Sequence, residues 1–409
     1  MKVNGVIVEY NPLHNGHIYH LNKTKELTSC DYVVAVMSGN FVQRGEPAFV
    51  NKWARTNMAL LSGIDLVLEL PTIYSISSAE GFAFGAISIL DKLGIIDTIC
   101  FGSESGNISE LMMLSKILAE EPQEFKISLE KYLKLGISFP AAREKALHDF
   151  MNNNYPNTEE NSRLTKILNN SNNILAIEYL KSLHKLSSNI SAFTIPRINN
   201  RYNEENLTGN ISSATSIRKN LLLQNNIKQS IPDYVDDILQ EEIKRGCGPL
   251  LLNNFSDIIM YKLRTLSIAD ISEILDVSEG LENKIKKACE NTTNINDLIE
   301  LIKTKRYTTT RLQRILIYTL LDIKKDALNI IKSPAKYVRV LGFNDNGKKL
   351  LKEIKKRCPL PIITNPSAND IDTLKYDISA TDIYVLGYSN NEYKEARQDL
   401  KKPPIYCKI

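Results

Sequence analysis

Two histidines near the start of the chain carry the most specific chemical signal in the sequence. His14 and His17 flank Gly16 in an H-x-G-H motif that follows the apolar run at residues 6–8. A strand, a short loop and a helix start present backbone N–H groups and a helix dipole that attract phosphate, and Gly16 lets a nucleotide approach the backbone closely. The motif predicts that both imidazoles contact the α- and β-phosphates and stabilise the charge that develops as pyrophosphate leaves.

A second segment, far downstream, has residue types suited to the remaining phosphates. Residues 211–218 read Ile-Ser-Ser-Ala-Thr-Ser-Ile-Arg, and a helix is expected to begin near Ser213 because hydroxyl side chains cap helices. The hydroxyls of Ser213 and Thr215 are candidates to hold the β- and γ-phosphates, and Arg218 is a candidate to neutralise the leaving group. Taken alone, the first motif fits a chance histidine pair and the second an ordinary helix cap. Together, in this order, they favour nucleotidyl transfer.

These residues need a scaffold, and the first hundred residues predict one. Short apolar runs alternate with amphipathic stretches. Strands are predicted at 3–8, 32–37, 66–70 and 98–101, and helices at 17–27, 54–61 and 79–93. This alternation is typical of a parallel sheet with crossover helices. We therefore predict an α/β fold built on a parallel-sheet, Rossmann-like nucleotidyltransferase domain.

The rest of the chain changes character twice. Residues 108–150 look helical, residues 151–173 contain nine asparagines and read as a polar loop, and a helix and a strand are predicted at 174–183 and 191–195. Helical patterns then dominate to residue 331, after which strands are predicted at 337–341, 361–363 and 383–386 around a helix at 347–356. The predicted organisation is a catalytic domain at 1–218, a helical domain at 219–331 and a small C-terminal α/β element at 332–409.

Composition excludes several classes of protein. The chain has 409 residues, of which 43% are hydrophobic and 24% charged, as in an ordinary globular protein. No apolar run near the start is long enough for a membrane span or a signal peptide. The six cysteines are scattered without a C-x-x-C pair, so neither a zinc ribbon nor a disulfide framework is predicted. We expect a cytoplasmic protein with reduced thiols, no membrane contact and no protein-held metal, and the sequence identifies no protein partner.

Positive charge is concentrated in one block. Residues 301–360 carry 16 Lys/Arg against 4 Asp/Glu, a local balance of +12, although the whole chain carries only +4. This block favours a polyanionic partner, and the alternative is a solvated helix surface. Six of these sixteen cations lie in the helix predicted at 347–356 or just after it: Lys348, Lys349, Lys352, Lys355, Lys356 and Arg357.

Several longer segments identify a family. They are residues 5–17, Gly-Asn-Phe-Val-Gln-Arg-Gly-Glu-Pro-Ala at 39–48, and residues 63–71, 101–104, 172–175, 194–198 and 303–314. Over essentially its whole length the chain resembles the bacterial tRNA(Met) cytidine acetate ligase family, a branch of the H-x-G-H nucleotidyltransferases. The string at 39–48 is much more specific to this family than the histidine motif is.

The resemblance implies an activity and a set of ATP contacts. Such enzymes use ATP to convert acetate into acetyl-adenylate, then acetylate the wobble cytidine of elongator tRNA(Met) to N4-acetylcytidine. ATP is the implied cofactor, and Mg²⁺ is expected to bridge its phosphates. The implied ATP contacts are Ile7, Val8, Glu9, Tyr10, Asn11, Pro12, Asn15, Gly16, His20, Gly102, one or both of Asn172 and Asn173, and Arg197. The chain departs from the family pattern at Asn203, where a histidine is expected.

Two further groups of residues are candidates for the other substrates. The loop after the second strand could reach acetate, ATP or the target cytidine, and Arg44 in it is the best candidate to neutralise a carboxylate. A purely structural surface loop is the alternative. Five cations around Tyr307 are candidates for RNA phosphates: Lys303, Lys305, Arg306, Arg311 and Arg314. Two other functions stay open from these residues, namely a small-molecule adenylyltransferase or carboxylate–amine ligase, and a non-catalytic RNA-binding protein.

Overall fold

The computed structural model describes residues 1–155, 161, 164–197, 210–304 and 306–408. Within these residues, eight strands form one sheet in the order β10-β8-β5-β2-β1-β6-β7, with β9 paired to β8. A separate two-stranded hairpin is formed by β3 and β4. The strands are β1 Val3–Val8, β2 Tyr32–Ser38, β3 Phe41–Val42, β4 Glu46–Pro47, β5 Leu66–Leu70, β6 Thr98–Ser103, β7 Ser191–Pro196, β8 Val338–Asn344, β9 Ile362–Ile363 and β10 Ile405–Cys407.

The five N-terminal strands of this sheet confirm the predicted parallel arrangement. β1 pairs in parallel with β2 and β6, β2 with β5, and β6 with β7. Along the sheet their order is β5-β2-β1-β6-β7, so the chain reverses its direction of travel at β1. In open α/β sheets a ligand crevice forms at such a reversal, beyond the carboxyl ends of the strands. Here that crevice lies between the ends of β1 and β6.

Crossover helices cover both faces of this half of the sheet, as the alternating pattern predicts. In this part the described helices are α1 Asn15–Thr28, α2 Lys52–Leu61, α3 Thr72–Ser75, α4 Ala79–Lys92, α5 Ile108–Glu120, α6 Gln123–Lys134, α7 Phe139–Asn154 and α8 Ser171–Lys185. The prediction that most of residues 151–173 is a polar loop is wrong for most of the described part. α7 continues to residue 154, residues 164–166 are helical, Ile167–Asn169 form a 3₁₀ turn and α8 begins at residue 171, because Met151, Leu164 and Leu168 are buried in the packed helix faces.

Helices dominate the next part, as predicted. They are α9 Ala214–Leu222, α10 Asp233–Lys244, α11 Ser256–Thr265, α12 Ile268–Ser272, α13 Leu281–Asn291, α14 Ile295–Ile302, α15 Thr309–Leu321 and α16 Leu328–Ile331, followed by α17 Asp345–Arg357, α18 Lys375–Tyr384 and α19 Gln398–Lys401. The strand predicted at 383–386 is wrong. Those residues end α18 and form a single 3₁₀ turn, with Tyr384 and Val385 fully buried.

The C-terminal strands extend the N-terminal sheet. β8 runs antiparallel to β5, and β10 and β9 run parallel to β8. The buried ammonium of Lys52 joins these parts, since it lies 2.7 Å from Glu69 of β5 and 2.6 Å from Asp399 of α19. The three-domain division drawn from the sequence stays a prediction, and the structure adds that residues from all three parts share one hydrophobic core cluster.

Among the residues that the structure describes, no helix is both long and apolar enough to cross a bilayer.

Candidate active site

The histidine motif lies where β1 ends and α1 begins. Tyr10 holds a left-handed backbone conformation with φ of 46°, which is uncommon for a residue with a large side chain and marks a sharp change of chain direction. The next residue is fixed from outside the loop, because the Asn11 Oδ1 accepts a 2.7 Å hydrogen bond from the backbone N–H of Phe49. Pro12 is buried beside it. The loop is therefore held rigidly before the helix starts.

The two histidines cap the helix with their Nδ1 atoms. His14 is the N-cap residue, and its Nδ1 accepts a hydrogen bond from the Gly16 N–H at 3.1 Å. His17 reaches back, so that its Nδ1 accepts from the His14 N–H at 3.2 Å. The two ring centroids lie 3.8 Å apart. A neutral imidazole carries one ring proton, so this pattern places the proton of each ring on Nε2.

Burial keeps both imidazoles neutral. It lowers the pKa of His14 to about 3, with Arg197 and Arg218 adding to the effect, and it lowers the pKa of His17 well below its usual value, helped by His14. The pKa of His20 falls to about 4 for the same reason, with Arg197 contributing again. The helix start thus offers two neutral N–H donors beside two guanidinium groups, an arrangement suited to a polyanion.

The crevice between β1 and β6 brings several predicted contacts together. Gly102 lies near the end of β6, and a Cβ added there would lie 3.5 Å from the Arg197 side chain and 4.0 Å from the His20 ring. Arg197 follows β7 and donates its N–H to the Ser103 carbonyl at 3.0 Å. Ile7 and Val8, at the end of β1, are partly buried. Residues far apart in the sequence thus line one side of the histidine pair.

The second motif closes the other side. Ser213 caps α9, as predicted, and its hydroxyl accepts from the Ser216 N–H at 3.1 Å. Thr215 lies in the first turn of α9, and Arg218 donates to the Asn11 carbonyl at 2.8 Å. The structure therefore joins the two motifs by a direct contact between an arginine and the loop.

Asn15 has a different environment from the one predicted. Its side-chain amide donates to the Asn210 and Gln229 carbonyls at 3.0 and 2.9 Å, and its N–H donates to the Ser230 carbonyl at 3.0 Å. These bonds anchor the start of α1 to the chain on either side of α9. The side-chain NH₂ of Asn15 thus serves the loop geometry, and a contact with ATP stays a prediction.

A hairpin folds over the end of β1. The Glu9 carboxylate accepts a 2.8 Å hydrogen bond from the Gln43 N–H. Burial raises the pKa of Glu9, opposed by this bond and by the positive charges of Arg44, Arg55 and Arg218. Arg44 therefore lies within electrostatic reach of the loop, where the sequence placed it as a candidate for acetate.

The structure separates the roles of the two adjacent asparagines at the start of α8. Asn173 is 1% exposed, and both its side-chain atoms bond to backbone, with Oδ1 accepting from Ser105 and Nδ2 donating to Ile167. Asn172 is partly exposed and donates to Glu104 at 2.6 Å. Glu104 also accepts from the Asn173 N–H at 2.9 Å, so it caps α8. Asn172 is therefore the better candidate for a ligand contact.

The candidate RNA contacts divide into two groups. Lys303 and Arg306 are exposed and form surface ion pairs with Glu300 and Glu279. Arg311 and Arg314 point toward Asp276 instead, with Arg311 donating to the Asp276 carbonyl at 2.8 Å and Arg314 lying 3.5 Å from its carboxylate. Arg314 is only 8% exposed. Lys305 and Asn203 lie outside the described residues.

Two functional neighbours escaped the sequence analysis. Arg55, fully buried in α2, donates to the carbonyls of Glu9, Ser38 and Gly39 and so fixes the ends of β1 and β2. A lone arginine on an otherwise buried helix face is the signal that could have found it. The other is Gln313, whose amide donates to Glu46 at 3.3 Å, and no local pattern marks that contact.

No protein-held metal centre is evident in the parts of the chain that the structure describes. They contain no group of three or more His, Cys, Asp or Glu side chains that could hold an ion. Mg²⁺ commonly binds through substrate phosphates with few protein ligands. An ion held by the phosphates of a nucleotide would need no such group from the described residues.

Comparison with known proteins identifies the family of this chain. Residues 1–399 match the HIGH Nucleotidyl Transferase family model. The tRNA(Met) cytidine acetate ligase of Thermoanaerobacter sp. (strain X514) is 50% identical over 398 residues, 96% of each chain, and that of Clostridium novyi (strain NT) is 46% identical over 100% of each chain.

Solved structures agree over the full length. Crystal structures of Thermotoga maritima TmcAL, one apo and one bound with alpha-thio ATP, are 36% identical to this chain and cover 100% of both chains, with TM-scores of 0.95 and 0.93. With these matches, the chain belongs to the tRNA(Met) cytidine acetate ligase family of HIGH nucleotidyltransferases.

Proposed function

We infer that this protein is an ATP-dependent ligase that joins acetate to a cytidine of tRNA(Met). The observation that carries this function is the chain-long similarity to ligases of that name together with the histidine pair at the β1–α1 turn. The product is N4-acetylcytidine, the position is the wobble base, and the substrate is the elongator tRNA(Met).

In the first step, acetate attacks the α-phosphorus of ATP and pyrophosphate leaves. The Nε2–H groups of His14 and His17 donate to the phosphate oxygens as negative charge grows, and the positive end of the α1 dipole adds to this field. Arg218 lies beside the same loop and neutralises the departing pyrophosphate. Arg44 holds the acetate carboxylate near the α-phosphorus. No covalent enzyme intermediate is required.

The remaining ATP contacts follow from where the crevice lies. The main chain at Ile7–Pro12, together with Gly16, borders the phosphates, while His20, Gly102 and Arg197 border the nucleoside side. Asn15, Asn172, Ser213 and Thr215 complete the proposed set. Mg²⁺, if it enters with ATP, would supply further charge neutralisation beside His14, His17 and Arg218.

In the second step, the exocyclic amine of cytidine attacks the acetyl carbonyl and AMP leaves. A single-stranded anticodon loop can present an unstacked base to such a site. Lys303 and Arg306 are exposed near the start of α15 and hold RNA phosphates, with Lys305 between them in the sequence. Arg311 and Arg314 support this surface from inside, through Asp276.

The test is a reconstituted reaction with a matched control. Purified protein, ATP, Mg²⁺ and labelled acetate are incubated with or without tRNA(Met), and digested nucleosides are analysed by mass. We expect acetylcytidine that depends on ATP and acetate. His17→Ala should lower its formation by about 100-fold or more, while His184→Ala, which changes an exposed histidine of α8, should leave it unchanged.

Two other results would reject the proposal. Labelled acetyl-adenylate without a tRNA product would indicate a small-molecule ligase. Binding of tRNA without any acetate-dependent chemistry would indicate a non-catalytic RNA-binding protein.

A further inference from the structure

Transfer of an acetyl group to an amine needs a proton acceptor, and the site offers few carboxylates. Glu9 and Glu104 directly follow β1 and β6, whose ends border the crevice, and Glu46 belongs to the hairpin β3–β4. Glu9 is covered by the hairpin and accepts from the Gln43 N–H. Both oxygens of Glu104 are bonded at the start of α8, to Asn172 and to the Asn173 N–H. Those two carboxylates are engaged in holding the structure.

Glu46 differs because its carboxylate is held by side chains of two different elements, Arg218 of α9 and Gln313 of α15. Its side chain is 30% exposed, and its Oε2 lies 3.6 Å from the Arg218 Nη2. Its Oε1 accepts a 3.3 Å hydrogen bond from the Gln313 amide. One ion pair and one hydrogen bond therefore orient the carboxylate, while part of its surface stays open to a ligand.

Glu46 also lies between the two regions that must meet. On one side, Arg218 connects it to the Asn11 carbonyl in the ATP loop. On the other side, Gln313 belongs to α15. This helix begins at Thr309, shortly after the exposed cations Lys303 and Arg306 in the sequence. An acetyl donor held by the loop and an RNA base held near the start of α15 would approach each other at this carboxylate.

We propose that Glu46 receives the amine of the target cytidine and acts as the proton acceptor in acetyl transfer. This inference rests on the proposed function. The cytidine N4 forms a bond to the acetyl carbonyl carbon, an N4 proton passes to the Glu46 carboxylate, and the bond from that carbon to the AMP oxygen breaks. The products are N4-acetylcytidine, AMP and a protonated Glu46, which then releases its proton to water.

The same contact gives a reason for base selection. A carboxylate accepts hydrogen bonds from the N4 amine of cytosine. Uracil carries a carbonyl oxygen at that position, which has no proton to donate and would face the carboxylate oxygens unfavourably. Glu46 would thus contribute both to the choice of base and to the chemistry.

The experiment separates the two half-reactions. Acetyl-adenylate formation is measured by trapping with hydroxylamine in the absence of RNA, and transfer is measured in a single turnover with saturating tRNA(Met). In Glu46→Gln we expect transfer to fall by about 100-fold or more, the usual contribution of a general base. Trapping should fall by less than about tenfold, reflecting the weaker hold on Arg218. Glu279→Gln, which removes an exposed carboxylate paired with Arg306, is the matched control and should change neither rate.

Three outcomes would overturn the proposal. Equal losses in both half-reactions would mean that Glu46 only positions Arg218. A higher KM for tRNA with an unchanged single-turnover rate would mean that it only contacts RNA. A normal transfer rate in a folded Glu46→Ala protein would exclude a proton acceptor at this position. Failure of the wild type to acetylate tRNA would instead reject the proposed function itself.

Discussion

At the scale of single residues, the state of the two motif histidines follows from where their hydrogen bonds go. Each Nδ1 is used by a backbone N–H at the start of α1, so each ring directs an Nε2–H away from the helix. Burial beside Arg197 and Arg218 disfavours a positive charge on His14. The pair therefore stabilises phosphate as neutral donors, while the positive charge comes from the arginines.

This neutral state predicts a pH dependence of stability. The pKa of His14 is about 3 in the folded protein against 6.5 for an ordinary histidine, so below pH 6.5 only the unfolded chain takes up its proton. Acidification then favours unfolding, and His14 alone should cost about 2 kcal/mol between pH 7 and pH 5. His14→Asn keeps a helix-capping oxygen and removes the titration. Urea unfolding at both pH values should show a smaller loss for the variant, and equal losses would contradict the neutral state.

The helix cap of a single residue could be predicted from the sequence, whereas contacts between distant residues could not. The cap at Ser213 is local, and the structure confirms it. The inward direction of Arg311 and Arg314 is set by Asp276, which is more than thirty residues away. A helical pattern places both arginines on one face, but it cannot say what that face contacts.

At the scale of elements, the hairpin β3–β4 couples the ATP loop to the helical part. Its turn is tied to Glu9 through the Gln43 N–H, and Glu46 contacts both Arg218 and Gln313. Two strands of two residues each carry no periodic pattern, so the sequence predicted only a loop here. The strand predicted at 383–386 failed for a related reason, since a short apolar run fits a buried helix end as well as a strand.

Gly45 makes the hairpin's contact with α15 possible, which predicts a sharp mutational difference. Gly45 has φ of +76°, and an added Cβ would overlap the backbone of Arg314. Gly280 has φ of +83° and no neighbour within 4 Å. Gly280→Ala should therefore lose only the backbone term, about 1 kcal/mol. Gly45→Ala should lose a further 1 to 3 kcal/mol or so from overpacking.

Thermal or urea unfolding of the two glycine variants measures this difference, and transfer of acetate to tRNA provides the functional readout. Gly45→Ala should also impair transfer, because the hairpin must move away from α15. Equal stability losses in the two variants would show that the hairpin tolerates displacement and that its contact with α15 is loose.

At the scale of the whole molecule, the ends of the chain are joined by a buried charge cluster. Lys52 is 0% exposed and pairs with Glu69 and with Asp399, 347 residues later in the chain. Burial raises the pKa of Glu69 to about 7, against the opposing attraction of Lys52. A buried lysine needs such partners. Sequence patterns predicted the strands on both sides of this cluster, but pairing between β5 and β8 depends on contacts that no local pattern contains.

The basic helix α17 lies at the opposite end of the parallel strands from the histidines. Its first turn packs on Asp65, just before β5, and Arg357 donates to the Gly94 carbonyl in the turn that precedes β6. Both points lie at the amino ends of the parallel strands. The six residues of β1 separate these amino ends from the ATP loop by about 20 Å. The positive block of the sequence is therefore two surfaces in space.

The two surfaces predict different effects on RNA affinity. Lys303→Gln with Arg306→Gln removes two cations on the ATP side, and it should weaken tRNA(Met) binding and reduce the slope of log affinity against log salt by about 1.4 to 1.8. Lys348→Gln with Lys352→Gln removes the same charge from α17 and should leave the slope nearly unchanged. Filter binding between about 50 and 200 mM salt measures both. The slope is set by counterions that are released where cations contact RNA phosphates. Equal reductions in the two variants would therefore mean that the RNA contacts both surfaces.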